Sequence, residues 1–141
     1  MLRVTEIFRS IQGESTHAGR PCTFVRLTGC PMRCVWCDSE YTFTGGEYFA
    51  LDDVMKKVRE FGCELVEVTG GEPLAQREAF VLIEQLCTEG FEVLVEQEAL
   101  FQLKMSIRGR VLSSTSSVRL LVKKRVTTGL TWNACDPIKT K

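Results

Sequence analysis

No stretch of about eighteen consecutive apolar residues occurs in the sequence, so a membrane-spanning helix is not expected. The amino terminus, Met1 to Glu6, lacks the charged-then-apolar order of a secretory signal, and a cytoplasmic protein is the expectation. Net charge is lacking too. Eighteen basic and eighteen acidic residues leave a formal charge of +0, so the total points to no nucleic-acid or membrane surface. No internal repeat is visible, and 141 residues leave room for one domain and little more. With no sign of secretion, the seven cysteines are not read as a disulfide scaffold.

Two uneven distributions stand out against these absences. Cys30, Cys34 and Cys37 fall within eight residues, whereas Cys22, Cys63, Cys87 and Cys135 are scattered singly. Clustered thiols in a reducing compartment point to a metal, and lone ones to small hydrophobes in or near a core. Charge is the second: residues 97–141 hold nine bases and two acids, a net of +7, while residues 1–96 carry −7. A reversal at one point marks either a basic tail with its own role or a change in how the sequence was produced.

Hydrophobic periodicity gives the elements. Val4 to Phe8 alternates weakly and Thr23 to Thr28 clearly, so both read as strands. Leu51, Val54, Met55, Val58 and Phe61 recur at helical spacing, with Asp52 and Asp53 at the positive end of the dipole and Gly62 past the end. Glu64 to Thr69 is a β-branched run closed by Gly70 and Gly71. Arg77 to Glu89 then puts Phe80, Ile83 and Leu86 or Cys87 on one helical face before Gly90, and Phe91 to Val95 is a further strand. Strands alternating with helices of this length imply a parallel sheet and an α/β fold. After Val95 the pattern fails. A strand over Val118 to Val122 is compatible with the sequence, but a packed continuation is not evident, and a sheet ending at Val95 leaves a hydrogen-bonding edge open.

Both chemically informative motifs follow strands of that sheet, where the functional loops of parallel α/β folds lie. Cys30-Pro-Met-Arg-Cys34-Val-Trp-Cys37 offers three soft thiolates, suited to an iron-sulfur cluster, zinc or cuprous ion. Structural zinc takes four ligands, which His17 or Cys22 would have to complete; otherwise His17 is a loop residue. Three protein ligands leave a metal position open for a cofactor or substrate. In Thr69-Gly70-Gly71-Glu72-Pro73, paired glycines let backbone approach a ligand closely and Glu72 offers an acceptor for an ammonium.

Together these motifs resemble the signature of the radical S-adenosylmethionine superfamily. The resemblance implies a 4Fe-4S cluster on Cys30, Cys34 and Cys37, with S-adenosylmethionine on its fourth iron and against Trp36, Cys37, Asp38, Gly70, Gly71 and Glu72. Glu6 to Glu14, Gly19 to Arg26, Cys37-Asp38-Ser39 and Tyr41-x-Phe43 resemble, within it, the 7-carboxy-7-deazaguanine synthase family of queuosine biosynthesis, over residues 1–96. That family converts 6-carboxy-5,6,7,8-tetrahydropterin to 7-carboxy-7-deazaguanine with loss of ammonia, by a radical ring contraction that starts with hydrogen abstraction from C6. By position, Ile11, Gln12, Gly13, Glu14 and Thr69 correspond to pterin contacts, Arg26 to the partner of its carboxylate, and Ser39 to a Mg2+ ligand. Read without the family, Arg26 is an outward strand residue in a surface ion pair. No protein acid or base is assigned. The resemblance further implies a flavodoxin or ferredoxin as electron donor and a homodimer, with no membrane or nucleic acid as partner.

The expected fold is therefore an incomplete radical SAM (β/α) partial barrel, truncated after about the third core strand. Residues 97–141 are read as an atypical basic segment: shifted by one reading frame, Leu100 to Arg108 and Ser113 to Val122 resemble the family's continuation. Poor packing there, and impaired turnover, are the expectations. A zinc-bound or basic-tailed interaction module without catalysis is the alternative.

Overall fold

The structure, a computed structural model, describes residues 1–97 in full and, beyond them, the backbone of three strands. In chain order the elements are β1 (Leu2–Ile11), β2 (Pro21–Leu27), β3 (Glu47–Phe49), helix α1 (Leu51–Phe61), β4 (Leu65–Gly70), helix α2 (Arg77–Thr88), β5 (Glu92–Gln97), β6 (Met105–Ile107), β7 (Arg110–Leu112) and β8 (Val118–Val122). Short 3-10 turns lie at Ser15–His17, Glu40–Thr42 and Pro73–Ala75. Six strands form one sheet in the order β3-β1-β2-β4-β5-β8; β6 and β7 pair separately as an antiparallel hairpin. Among the described residues no helix is long and apolar enough to cross a membrane.

The centre of the sheet is the expected one: β2, β4 and β5 are parallel neighbours, joined through α1 and α2. On α1, Val54, Met55 and Val58 are buried, each contributing on the order of 1.5–3 kcal/mol. Ala50 supplies no side-chain cap; Asp52 and Asp53 carry the first turn, and Gly62 ends the helix in the left-handed conformation. On α2 the face is wider than its spacing suggests: Ala79, Leu82, Ile83, Leu86 and Cys87 are buried, and Phe80 packs at the margin. Cys63 is buried as well.

Three features differ from the sequence expectation. β1 runs over ten residues rather than five, with β3 pairing beyond it at the sheet's edge. Its weak alternation has a cause: the register slips between Val4, opposite Leu27, and Glu6, opposite Arg26. A bulge of this kind inserts one residue and reverses the strand's facing. Leu2 and Val4 thus pack against the helices, as does Ile7, while Glu6 and Phe8 share the opposite face with Arg26 and Phe24. Finally, β5 is not the last strand. β8 covers it in antiparallel register from Val93 opposite Val122 to Gln97 opposite Val118, closing the edge expected to be open. Apart from β6, β7 and β8, the expectations for residues 98–141 lie outside the described residues.

Helices cover one face of the sheet, against Val25, Leu27, Val66, Val68, Val93 and Val95. The other face is layered by strand register. Phe8, Phe24, Glu67 and Leu94 make one row, and Glu6, Arg26 and Thr69 the row nearer the strand ends. Ser10, Cys22 and Leu65 lie below. This face forms the floor of the candidate site.

Candidate functional site

A cavity of about 500 Å³ opens over that face at the carboxyl ends of the parallel strands. Its walls are the loop after β2, the loop after β4 and the turn after β1. Because β2 and β4 are parallel neighbours, their following loops emerge side by side. The Gly71 and Glu72 N–H groups donate to Leu27 O (3.3 Å) and Gly29 O (2.9 Å), tying the loops together. A Cβ on Gly70 would lie 2.1 Å from Leu27 O at a φ of +126°; one on Gly71 would lie 2.4 Å from Gly29 O and 2.8 Å from Cys30 Cβ. The paired glycines therefore permit a close approach of loop to loop, beyond any approach to a ligand.

The cysteine loop is held by its own side chains. The Arg33 guanidinium donates to Cys30 O (2.7 Å) and Met32 O (2.6 Å) and lies 4.3 Å from the Phe43 ring centroid. The Cys37 N–H donates to Cys34 O (3.1 Å), and Cys37 Sγ lies 3.8 Å from Ser39 Oγ. Cys30, Cys34 and Cys37 are free, partly accessible thiols on one cavity wall. Among the described residues no three His, Cys, Asp or Glu side chains converge on a point that would hold a single metal ion. A cluster requires no such point, since each thiolate binds its own iron, so the donor set fits a cluster better than zinc. Nor do the fourth-ligand candidates reach the loop. Cys22 is buried with Leu65 and Leu94, and His17 lies beside Arg20 (2.7 Å) and Glu92 (3.8 Å).

Arg26 occupies both of its anticipated settings. Its Nε donates to Glu6 Oε1 (2.8 Å), yet the side chain lines the cavity and is 20% exposed. The guanidinium carbon lies 5.7 Å from the Phe8 ring and 5.8 Å from the Tyr41 ring. Phe8 itself stacks on Phe24 at 5.1 Å. Tyr41 donates to the same Glu6 oxygen (3.3 Å), and burial holds its phenol above the ordinary range, Glu6 adding to the effect and Arg26 opposing it. With Nε engaged by Glu6, the terminal Nη pair is the fork left for an incoming carboxylate.

Thirteen of the fifteen anticipated site residues line this cavity: Gln12, Gly13, Glu14, Arg26, Cys30, Cys34, Trp36, Cys37, Asp38, Ser39, Thr69, Gly70 and Gly71. The other two do not. Ile11 is 65% exposed outside it, and Glu72 is buried, its carboxylate accepting from Leu74 N (3.3 Å) within the loop's own turn. The sequence reading missed Phe24, Met32, Phe43, Glu67, Glu96 and Gln97, which also line it. Glu67 accepts a hydrogen bond from Gln12 Nε2, and Glu96 accepts from Thr69 Oγ1 (2.8 Å). Period-two spacing through Leu65, Glu67 and Thr69, in phase with Cys22, Phe24 and Arg26, was the available signal.

Parallel strands carrying a three-cysteine loop beside a Gly-Gly-Glu-Pro loop define a radical S-adenosylmethionine protein. The sequence model of the Radical SAM superfamily matches residues 24–130, and the chain belongs to that superfamily. Within it, the chain is similar to the 7-carboxy-7-deazaguanine synthase of Koribacter versatilis, 52% identical over 97 residues, covering 67% of this chain and 43% of that protein. The same enzyme of Thermoplasma acidophilum is 41% identical over 120 residues, covering 85% of this chain and 56% of that protein. A solved structure, QueE from Escherichia coli, superposes with a TM-score of 0.65 at 25% identity over 74% of this chain and 56% of its own. The chain thus spans about half the length of these relatives.

Proposed function

We propose that this cavity serves the 7-carboxy-7-deazaguanine synthase reaction, the ring contraction of 6-carboxy-5,6,7,8-tetrahydropterin with loss of ammonia. The observation that carries the reading is the meeting, in one cavity, of three free thiols, the Gly70-Gly71 loop and a guanidinium whose fork is open. Cys30, Cys34 and Cys37 would hold the 4Fe-4S cluster, and Trp36, Asp38, Gly70 and Gly71 would adjoin S-adenosylmethionine. When bound, cluster and cofactor supply the radical that begins the reaction. The chain's own residues bind and orient. Arg26 takes the pterin carboxylate in a bidentate pair, with Glu6 and two aromatic faces fixing its plane. Gln12, Gly13, Glu14 and Thr69 meet the ring, and Phe24 in the floor row offers it an apolar face. Ile11, at the end of β1, acts through the backbone it shares with Gln12, and Glu72 by shaping the loop that carries the glycines.

Ser39 presents a hydroxyl oxygen suited to Mg2+, which retains waters and favours hard ligands. A one-electron donor such as flavodoxin or ferredoxin, and a homodimer, belong to the same reading. The test is anaerobic reconstitution with iron and sulfide, followed by S-adenosylmethionine, Mg2+, a reductant and the pterin acid. A reducible iron-sulfur spectrum, lost in any one Cys→Ala variant of the three, together with 7-carboxy-7-deazaguanine as product, is the expected result. Turnover is expected to be slow, because residues 97–141 depart from the family's pattern and displacement of reacting groups by about 1 Å costs on the order of a hundredfold. Stoichiometric zinc with no iron uptake would overturn the reading.

A further inference from the structure

Glu67 is an unexpected residue in the middle of a sheet. It sits on β4 between Phe24 of β2 and Leu94 of β5, and is only 2% exposed. Leucine or valine would fit such a row, and a buried carboxyl is costly there unless it is hydrogen-bonded. Gln12, equally buried at 2% exposed, is the residue it holds. The Gln12 Nε2 amide donates to Glu67 Oε2, and Gln12 Oε1 accepts from the Glu14 N–H at 3.1 Å. The main chain is fixed as well, since Gln12 N donates to Arg20 O (2.9 Å) and Gly19 N to Gln12 O (2.8 Å).

Only one amide orientation satisfies both side-chain bonds, because the Glu14 backbone N–H cannot accept and so faces Oε1, which leaves Nε2 to donate to Glu67. Gln12 therefore keeps one N–H and one carbonyl lone pair for a ligand, in a fixed order along the cavity wall. Without Glu67 the amide keeps only the Glu14 N–H as an anchor, and rotation away from that single bond exchanges donor for acceptor against the ring.

We propose that Glu67 is a positioning residue, which locks the Gln12 amide and with it the Gln12–Glu14 turn in the orientation that receives the pterin ring. This rests on the pterin reading of the cavity given above. Its chemistry is that of a heterocycle whose edge alternates hydrogen-bond donors and acceptors, where an inverted amide would set like against like.

The experiment uses the full chain and two measurements. In ligand-free, 15N-labelled protein, the Gln12 side-chain amide protons should be separated in shift and slow to exchange. In Glu67→Leu they should collapse toward the values of a solvated glutamine. By calorimetry, Glu67→Leu should weaken binding of the 6-carboxytetrahydropterin substrate tenfold or more. Adding Gln12→Ala to Glu67→Leu should cost little further, since the two side chains act as one unit. Glu67→Gln, which retains an acceptor oxygen, should bind within about threefold of wild type; if Glu67→Leu does not fold, Glu67→Ala, which also removes the acceptor, takes its place in both measurements. Unmoved Gln12 resonances, or pterin affinity unchanged by loss of Glu67, would overturn the proposal while leaving the cavity's ligand intact. Failure of the wild-type chain to bind the pterin acid would overturn the pterin reading, and this inference with it.

Discussion

Cys22 and Cys30 are eight residues apart in one strand-and-loop segment, yet the first is buried and the second is not. Burial pushes the Cys22 thiol up to about 12, the negative charge of Glu67 adding to the effect. Cys30, Cys34 and Cys37 are partly accessible. A thiol reagent applied to native protein near neutral pH should therefore label those three and spare Cys22, Cys63 and Cys87, as read by peptide mass. The same burial couples Cys22 to stability. Its ordinary value is 9.0, and the folded value is the higher of the two. Its contribution is complete below the lower value and is lost as pH rises toward the upper one. The denaturation midpoint should fall between those limits more steeply in wild type than in Cys22→Ala. For Arg26, replacement by Lys keeps the charge and removes the fork, so affinity for the carboxylated pterin should drop about tenfold or more by titration. A pterin lacking the carboxylate should show little change. At this scale the cysteines and glycines were legible because their chemistry is written in residue type and spacing. Glu67 and Glu96 were not, since a lone Glu in a strand reads as solvent-facing until register shows what lies opposite.

At the scale of elements, the helices and central strands could be read because hydrophobic period and end signals agree. α1 combines buried Val54, Met55 and Val58 with a glycine stop. β1 could not be bounded, because its bulge breaks the alternation on which strand recognition depends, and the short β3 has too few residues to show a period. The loops after β2 and β4 form a single unit, and Gly71 is where they touch. In Gly71→Ala the new methyl meets backbone oxygen and the Cβ of Cys30, neither of which is the free end of a flexible side chain. Unfolding stability should fall by about 1–3 kcal/mol, the usual cost of forced overpacking. Under the cluster assignment proposed above, iron uptake should fall with it, because relief of the clash moves Cys30. Gly13→Ala has no atom within 4 Å of the added methyl and should change stability by no more than about 0.5 kcal/mol in the same denaturant titration.

For the molecule as a whole, the question is what closes the sheet beyond β5. Alternating β/α units predict another parallel strand there, whereas Val118–Val122 pairs antiparallel along Val93 to Gln97. That pairing was hard to foresee because a five-residue segment with four apolar residues, far along the chain, carries no sign of its partner or direction. Its consequence can be tested by ending the chain after Gln97. The amide and carbonyl groups of β5 that β8 engages would then be unpaired along a strand containing Val93, Leu94 and Val95, the kind of edge that recruits a second copy. Opposing this is charge, since residues 1–96 carry a net of −7 and lose the compensating +7 of the remainder. At about 0.15 M salt, screening acts over roughly 8 Å, so repulsion between copies weakens while strand pairing at contact distance does not. The shortened chain should be monomeric at low salt and self-associate as salt and concentration rise, by size-exclusion chromatography with light scattering. Val95→Pro in that shortened chain removes one edge N–H and should suppress the association. A shortened chain that stays monomeric throughout would mean that β8 does not protect the β5 edge.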